Sequence, residues 1–108
     1  MKLYVDDLRA CPEGWQLART VTDAIRVLAQ FTVEEVSLDH DICHTVPGDN
    51  SIVKPVACSE TFEAVAWFIA SMPRSIRPKV KYHTANPQGK SIMKGILIGG
   101  WIWDGVAL

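Results

Sequence analysis

The sequence predicts an α/β domain on a mainly parallel sheet of four strands, with a candidate fifth strand and about three helices. Two observations carry that expectation. Short apolar runs and stretches at helical spacing follow one another in the order β, β, α, β, α, β, α. Three of the strand candidates also end abruptly in polar chemistry: Leu3-Tyr4-Val5 in Asp6-Asp7, Val36-Ser37-Leu38 in Asp39-His40-Asp41, and Val80-Lys81-Tyr82 in His83-Thr84-Ala85-Asn86. In open parallel sheets, ligands gather beyond the carboxyl ends of the strands. If these strands are neighbours, their polar ends share one rim.

The first strand is Lys2–Val5, stopped by Asp6-Asp7. Leu8–Gly14 holds Pro12 and Gly14, which punctuate rather than continue a helix. Trp15–Arg19 reads as a second strand with Trp15, Leu17 and Arg19 on one face. The link from Val5 to Trp15 is shorter than a parallel crossover normally needs, so either a loop makes the crossing or the second strand is irregular. The first helix has Thr22 as its expected N-cap and Asp23 at its positive start. Ala24, Ile25, Leu28 and Ala29 recur at helical spacing.

The third strand is Val33–Leu38. Ile42–Cys58, with Pro47, Gly48, Asp49, Asn50, Ser51 and Pro55, reads as a long loop, either functional or mobile. Ser59 is the expected cap of the second helix, whose stripe is Phe62, Val65, Ala66 and Ile69. Pro73 and Pro78 close it. In the fourth strand Lys79, Lys81 and His83 alternate with Val80, Tyr82 and Thr84, a pattern suited to an edge strand. Asn86-Pro87 pairs an N-cap with proline at the first helical position. The third helix turns Ile92, Met93, Ile96 and Leu97 to the core and ends near Gly99-Gly100. Trp101-Ile102-Trp103 is either the fifth strand or a packed tail.

At 108 residues the chain (1–108) is long enough for one domain and too short for two. With 48% hydrophobic and 21% charged residues it is globular rather than disordered. A formal net charge of -1 gives no signature for DNA or a membrane surface. Residues 1–53 hold nine acids against four bases, and 54–108 seven bases against three acids, so the rim carboxylates lie in the acidic half. Three cysteines, Cys11, Cys43 and Cys58, do not pair evenly, and MKLYVDD lacks an apolar signal region; both point to a reducing cytoplasm. The apolar tail from Ile96 is too short and too interrupted for a membrane span. With its two tryptophans it is a candidate homodimer patch.

The rim residues suit a cation or an acid/base site. Asp6, Asp7, Asp39 and Asp41 are candidate ligands for Mg²⁺ or another divalent cation, which carboxylate oxygens hold and which relieves repulsion among clustered acids. The plainer reading makes Asp6-Asp7 a turn and Asp39 a loop cap. His40 and His83 are candidate acid/base groups, since imidazole as a class can donate or accept a proton near neutral pH; alternatively each is a hydrogen-bonded structural histidine. Neighbouring strand residues face opposite ways, so His40 need not point where Asp39 and Asp41 point. Thr84 and Asn86 offer donors at the start of the third helix, where free N–H groups favour phosphate, though Asn86 also caps that helix. Arg9 is a candidate positive contact for an anion. Cys43-His44 with Cys58 lacks the spacing of a zinc site.

The acidic pair Asp6-Asp7, Asp39 after the third strand and Thr84-Ala85 after the fourth resemble the two-component receiver pattern, which is flavodoxin-like and three-layered. A finer resemblance is to the cyclic-phosphate processing receiver domain. It rests on VDDLR (Val5–Arg9), the Pro12–Trp15 turn, ART (Ala18–Thr20), SLDHD (Ser37–Asp41) and HTANP (His83–Pro87), and covers about residues 1–41 and 59–97. Three departures stand out, one of them an Ile42–Cys58 loop longer and less regular than the family pattern. The helix between the first two strands is missing, and no lysine takes the receiver's phosphoryl-sensing place, since Lys90 falls in the third helix. The resemblance implies a metal-assisted phosphoesterase acting on a cyclic phosphate, at an RNA end or on a small phosphate ligand. Asp6, Asp7 and Asp39 would then hold the cation, His40 or His83 would move the proton, and Thr84 and Asn86 would orient the phosphate. Asp39 is alternatively the nucleophile or, in a signalling module, the phosphoryl acceptor. A third reading is a module that binds its phosphate ligand without turnover.

Overall fold

A computed structural model describes residues 1–45 and 55–101, with the backbone alone for 43–45, 55–59 and 99–101. In chain order the elements are β1 (Lys2–Val5), β2 (Gln16–Ala18), α1 (Val21–Gln30), β3 (Glu35–Leu38), β4 (Asp41–Thr45) and β5 (Pro55–Thr61). They continue with α2 (Glu63–Ser71), one 3₁₀ turn (Arg74–Ile76), β6 (Lys79–Tyr82) and α3 (Pro87–Trp101). Four strands form one sheet in the order β2-β1-β3-β6, and every pairing in it is parallel. This is the expected receiver-like α/β sheet with its three helices, and β6, the lysine-bearing strand, is one of its two outer strands.

The alternation of side chains decides where the core lies. Leu3, Val5, Ala18, Val36 and Leu38 point to one face. There they join Ala24 and Leu28 of α1, Phe62, Val65, Ala66 and Ile69 at α2, and Met93 and Ile96 of α3 in one buried cluster. Fully burying side chains of this size is worth roughly 1.5–3 kcal/mol each for Val, Leu, Ile, Phe and Met. Tyr4, Leu17, Ser37 and Lys81, aligned in register, point to the other face. All three described helices contribute to the first face, so among the described residues the receiver-like sheet carries one helical layer rather than the two of the expected three-layered arrangement.

The β1–β2 connection is the loop crossing. Trp15 N–H donates to Pro12 O at 3.2 Å, and Gly14 takes the left-handed φ of +85° that lets so short a link turn back. Arg19 Nη1 donates to Arg9 O at 2.7 Å and to Asp6 O at 3.4 Å, which ties the loop to the strand end.

Several local expectations are corrected. Helix α1 starts two residues early: Thr20, not Thr22, is the N-cap, its hydroxyl accepting from Asp23 N–H at 3.1 Å. Strand β2 ends at Ala18, which leaves Thr20 in the extended conformation a cap needs. Ser59 is not at the cap position: its backbone lies within β5, Phe62 precedes the first residue of α2, and Glu63 N–H bonds Thr61 Oγ1 at 3.3 Å. The Ile42–Cys58 segment is not a bare loop, because β4 and β5 pair antiparallel with a bulge between Ile42 and His44. Residues 46–54 and the side chains of Cys43, His44 and Cys58 lie outside what is described. In α3, Met93 and Ile96 are buried and Leu97 half-buried, but Ile92 is exposed, being turned off the stripe by one residue. That helix runs through Gly99-Gly100 to Trp101, so Trp101 is helical. Residues 102–108, with the rest of the candidate fifth strand and dimer patch, are outside the described residues. Among the described residues, no helix is long and apolar enough to cross a membrane.

Candidate functional site

Strand register builds the site. Val5, Leu38 and Tyr82 lie side by side at the ends of β1, β3 and β6. The ladder then continues one residue further. Asp6 N–H donates to Ala18 O at 3.1 Å, Asp39 N–H to Val5 O at 3.0 Å, and His83 N–H to Leu38 O at 3.2 Å. Asp6, Asp39 and His83 therefore leave the sheet at one level, and one potential ligand atom from each lies within 4.8 Å of the others.

Asp6 is 1% exposed. Burial pushes its carboxyl up, but the Arg9 and Leu8 N–H groups on Oδ1, at 2.9 and 2.8 Å, and His83 on Oδ2 together outweigh burial and hold it below the usual carboxylate range. Asp39 goes the other way. Burial raises its carboxyl, and the Asp6 charge adds to the rise against the hydrogen bond from His40 N–H at 2.8 Å. Two carboxylates so close, one of them resisting ionisation, form a donor set that a cation would relieve. Carboxylate oxygens suit Mg²⁺, and the imidazole widens the set to transition metals.

His83 is held from both ring nitrogens. Nε2 lies 2.8 Å from Asp6 Oδ2 and Nδ1 lies 2.7 Å from Ser37 Oγ. Its ring stacks on Tyr4, with centroids 4.5 Å apart and planes 6° from parallel. Arg9 Nη1 bonds the His83 carbonyl, and Arg9 Nε stands 3.8 Å from Asp6 Oδ2.

His40 is turned to the helical side. The residue is 5% exposed, with Nδ1 2.7 Å from Asp41 Oδ1 and Nε2 2.8 Å from Glu63 Oε2. Burial lowers the imidazole pKa, but the bonds to Asp41 and Glu63 overcome that and raise it above the ordinary value.

A pocket of about 220 Å³ opens over the cluster, lined by Asp6, Asp7, Leu8, Arg9, Asp39, Asp41, Thr84 and Ala85. Six of the nine residues singled out in the sequence thus line one hollow, and His83 stands against its floor through Asp6. A larger hollow of about 480 Å³ lies at the amino ends of β3 and β6, against Phe31 and Ile76, away from this chemistry. Thr84 Oγ1 accepts from Asn86 N–H at 3.1 Å, leaving its own O–H to donate. Asn86 does cap α3: Oδ1 accepts from Gln88 and Gly89 N–H, both at 3.1 Å, while Nδ2 reaches Asp41 at 3.3 and 3.4 Å. Asn86 and His40 stand behind the pocket rather than in its lining.

Sequence reasoning missed Ser37, Tyr4, Arg19, Glu63 and Gly89. Period-two spacing puts Ser37 on the face of Asp39 and was a usable signal. The Glu63 contact forms only when α2 docks, so no local pattern announces it.

No curated protein and no solved structure matches the chain significantly. A family model described as the cyclic-phosphate processing receiver domain matches residues 1–98, and the chain belongs to that family.

Proposed function

We propose that the chain is a cation-dependent phosphoesterase that opens a cyclic phosphodiester. The observation that carries this reading is the convergence of Asp6, Asp39 and His83 within 4.8 Å beneath an acidic pocket. Asp6 and Asp39 would hold Mg²⁺ or a similar divalent ion, with Asp7 and Asp41 at the rim. A bound cation supplies charge stabilisation at the phosphate oxygens. His83, oriented by Ser37 and Asp6, is the imidazole placed to move a proton. Arg9 and the Thr84 hydroxyl orient the anionic group. His40 bonds Asp41 and Glu63 rather than a member of the Asp6, Asp39 and His83 cluster, and is assigned no proton transfer.

A panel of 2′,3′-cyclic nucleotides and short RNAs with cyclic phosphate ends, assayed with Mg²⁺ and with EDTA, tests this. Turnover with Mg²⁺ that EDTA and Asp39→Asn both abolish is expected. An Asp39-dependent adduct after incubation with a small phosphodonor, seen by intact mass without turnover, would replace the enzyme with a signalling receiver. Among the described residues that line the pocket there is no lysine to sense such a phosphoryl group, which favours the enzyme. Tight retention of a cyclic phosphate without product would leave a binding module.

A further inference from the structure

We propose that His40 is a positioning residue, a bolt that fixes the Asp41 carboxylate at the pocket mouth and ties it to the first turns of α2 and α3. Three observations meet at one ring. Nδ1 and Nε2 engage Asp41 and Glu63 at 2.7 and 2.8 Å, so one imidazole bridges the strand end to the start of α2. Asn86 Nδ2 takes both oxygens of the same Asp41, which joins the start of α3 to the carboxylate. Gly89, in the first turn of α3, is buried against the ring, and a Cβ built there would overlap Cγ and Nδ1 of His40.

The glycine follows from the imidazole. A glycine in a helix is ordinarily less favourable than alanine, and Gly89 has an ordinary helical φ, so conformational freedom is not its reason. Its reason is room: the ring can reach Asp41 and Glu63 only by lying where a side chain on α3 would be. Alternation along the strand end sends Asp39 to the pocket and His40 to the helices. One segment thereby carries a pocket carboxylate and the device that holds its neighbour. This role rests on the preceding reading only in the use to which Asp41 is put, since the bolt itself is a matter of geometry.

Thermal unfolding of a double-mutant cycle tests the contact. Gly89→Ala is expected to lower the melting midpoint of the otherwise unchanged chain by about 4 °C or more. In the His40→Ala background it should leave the midpoint unchanged or raise it. Equal losses in both backgrounds would overturn the packing argument. Positioning is read from the Asn86 side-chain amide resonance, which reports Asp41 directly. Asparagine at position 40 keeps a donor where Nδ1 stands, and glutamine keeps one where Nε2 stands. His40→Asn should therefore preserve the Asn86 signal and its slow exchange, while His40→Gln loses them. The opposite order, or loss in both, defeats the assignment. With Mn²⁺ as the probe ion, His40→Gln should bind about tenfold more weakly than His40→Asn. A chain that binds no Mn²⁺ at all removes the cation reading, and the amide and unfolding results then decide the bolt alone.

Discussion

His83 Nε2 lies 2.8 Å from Asp6 Oδ2, a bond between residues 77 positions apart in the chain. It joins the end of the outer strand β6 to the end of β1, across β3, which stands between them. Asp39 follows the end of β3, so the bond passes the third member of the cluster, whose ligand atom lies within 4.8 Å of the other two. Asp6 is common to the long-range bond and to the pocket lining.

The first prediction concerns acid stability. Asp6 is held below the usual carboxylate range, so its contribution is present above its unfolded value, ~3.9, and is lost as pH falls through the lower folded value. Asp6→Asn puts an amide donor against the His83 donor in a buried place, a cost of about 1–3 kcal/mol at neutral pH. Melting curves between pH 2 and 7 should show the gap to the native chain narrowing toward the acid end. A gap independent of pH would contradict this account.

Asp39 carries the opposite sign. Its folded carboxyl is raised by burial and by Asp6, so ionisation costs stability, and that cost grows as pH climbs from the ordinary carboxylate value through the raised one. At pH 7 Asp39→Asn should melt a few degrees higher than the native chain in EDTA. Adding Mg²⁺ should reverse the order, because an ion bound only to the native fold adds about 2.7 kcal/mol at a hundred times its Kd. If Mg²⁺ stabilises the asparagine variant as much as the native chain, the cation does not sit on Asp39.

The parts of the site legible in the sequence are those that depend on strand ends. Parallel strands finishing in Asp6, Asp39 and His83 had to deliver them to one edge, and Asn86-Pro87 declares its cap in two adjacent residues. What stayed hidden depends on contacts across the fold. Thr20 and Thr22 both stand ahead of Asp23, and only the end of β2 chooses between them. The arms of β4 and β5 are masked by the turn-forming composition of Pro47–Asn50, and their pairing is not local. Gly89 looks like an ordinary helix weakness until the His40 ring is seen against it.

His40 gives a test on the alkaline side. Its imidazole is raised in the fold by Asp41 and Glu63, so its charged contacts stabilise fully below the ordinary value, ~6.5, and fade as pH rises through the higher folded value. The native chain should lose melting temperature over that span, and His40→Asn should be flat across it. Parallel decline in both proteins would place the titrating group elsewhere.

Ser37 is the remaining prediction, and it separates orientation from packing. Its hydroxyl lies 2.7 Å from His83 Nδ1, on the sheet face away from the helical core, so removing it opens no cavity among the core residues. The hydroxyl fixes which way the ring turns and thereby keeps Nε2 on Asp6. Ser37→Ala should keep the native circular dichroism and melt within a few degrees of the native chain. Its Mn²⁺ affinity should nevertheless fall roughly tenfold, with turnover of a cyclic phosphate falling alongside. Ser37→Thr keeps the hydroxyl and suits a strand, so it should bind and turn over like serine. A threonine variant as weak as alanine would mean that crowding, not the hydrogen bond, controls the ring. An alanine variant that binds like the native chain would show that Tyr4 stacking and Asp6 orient His83 without help.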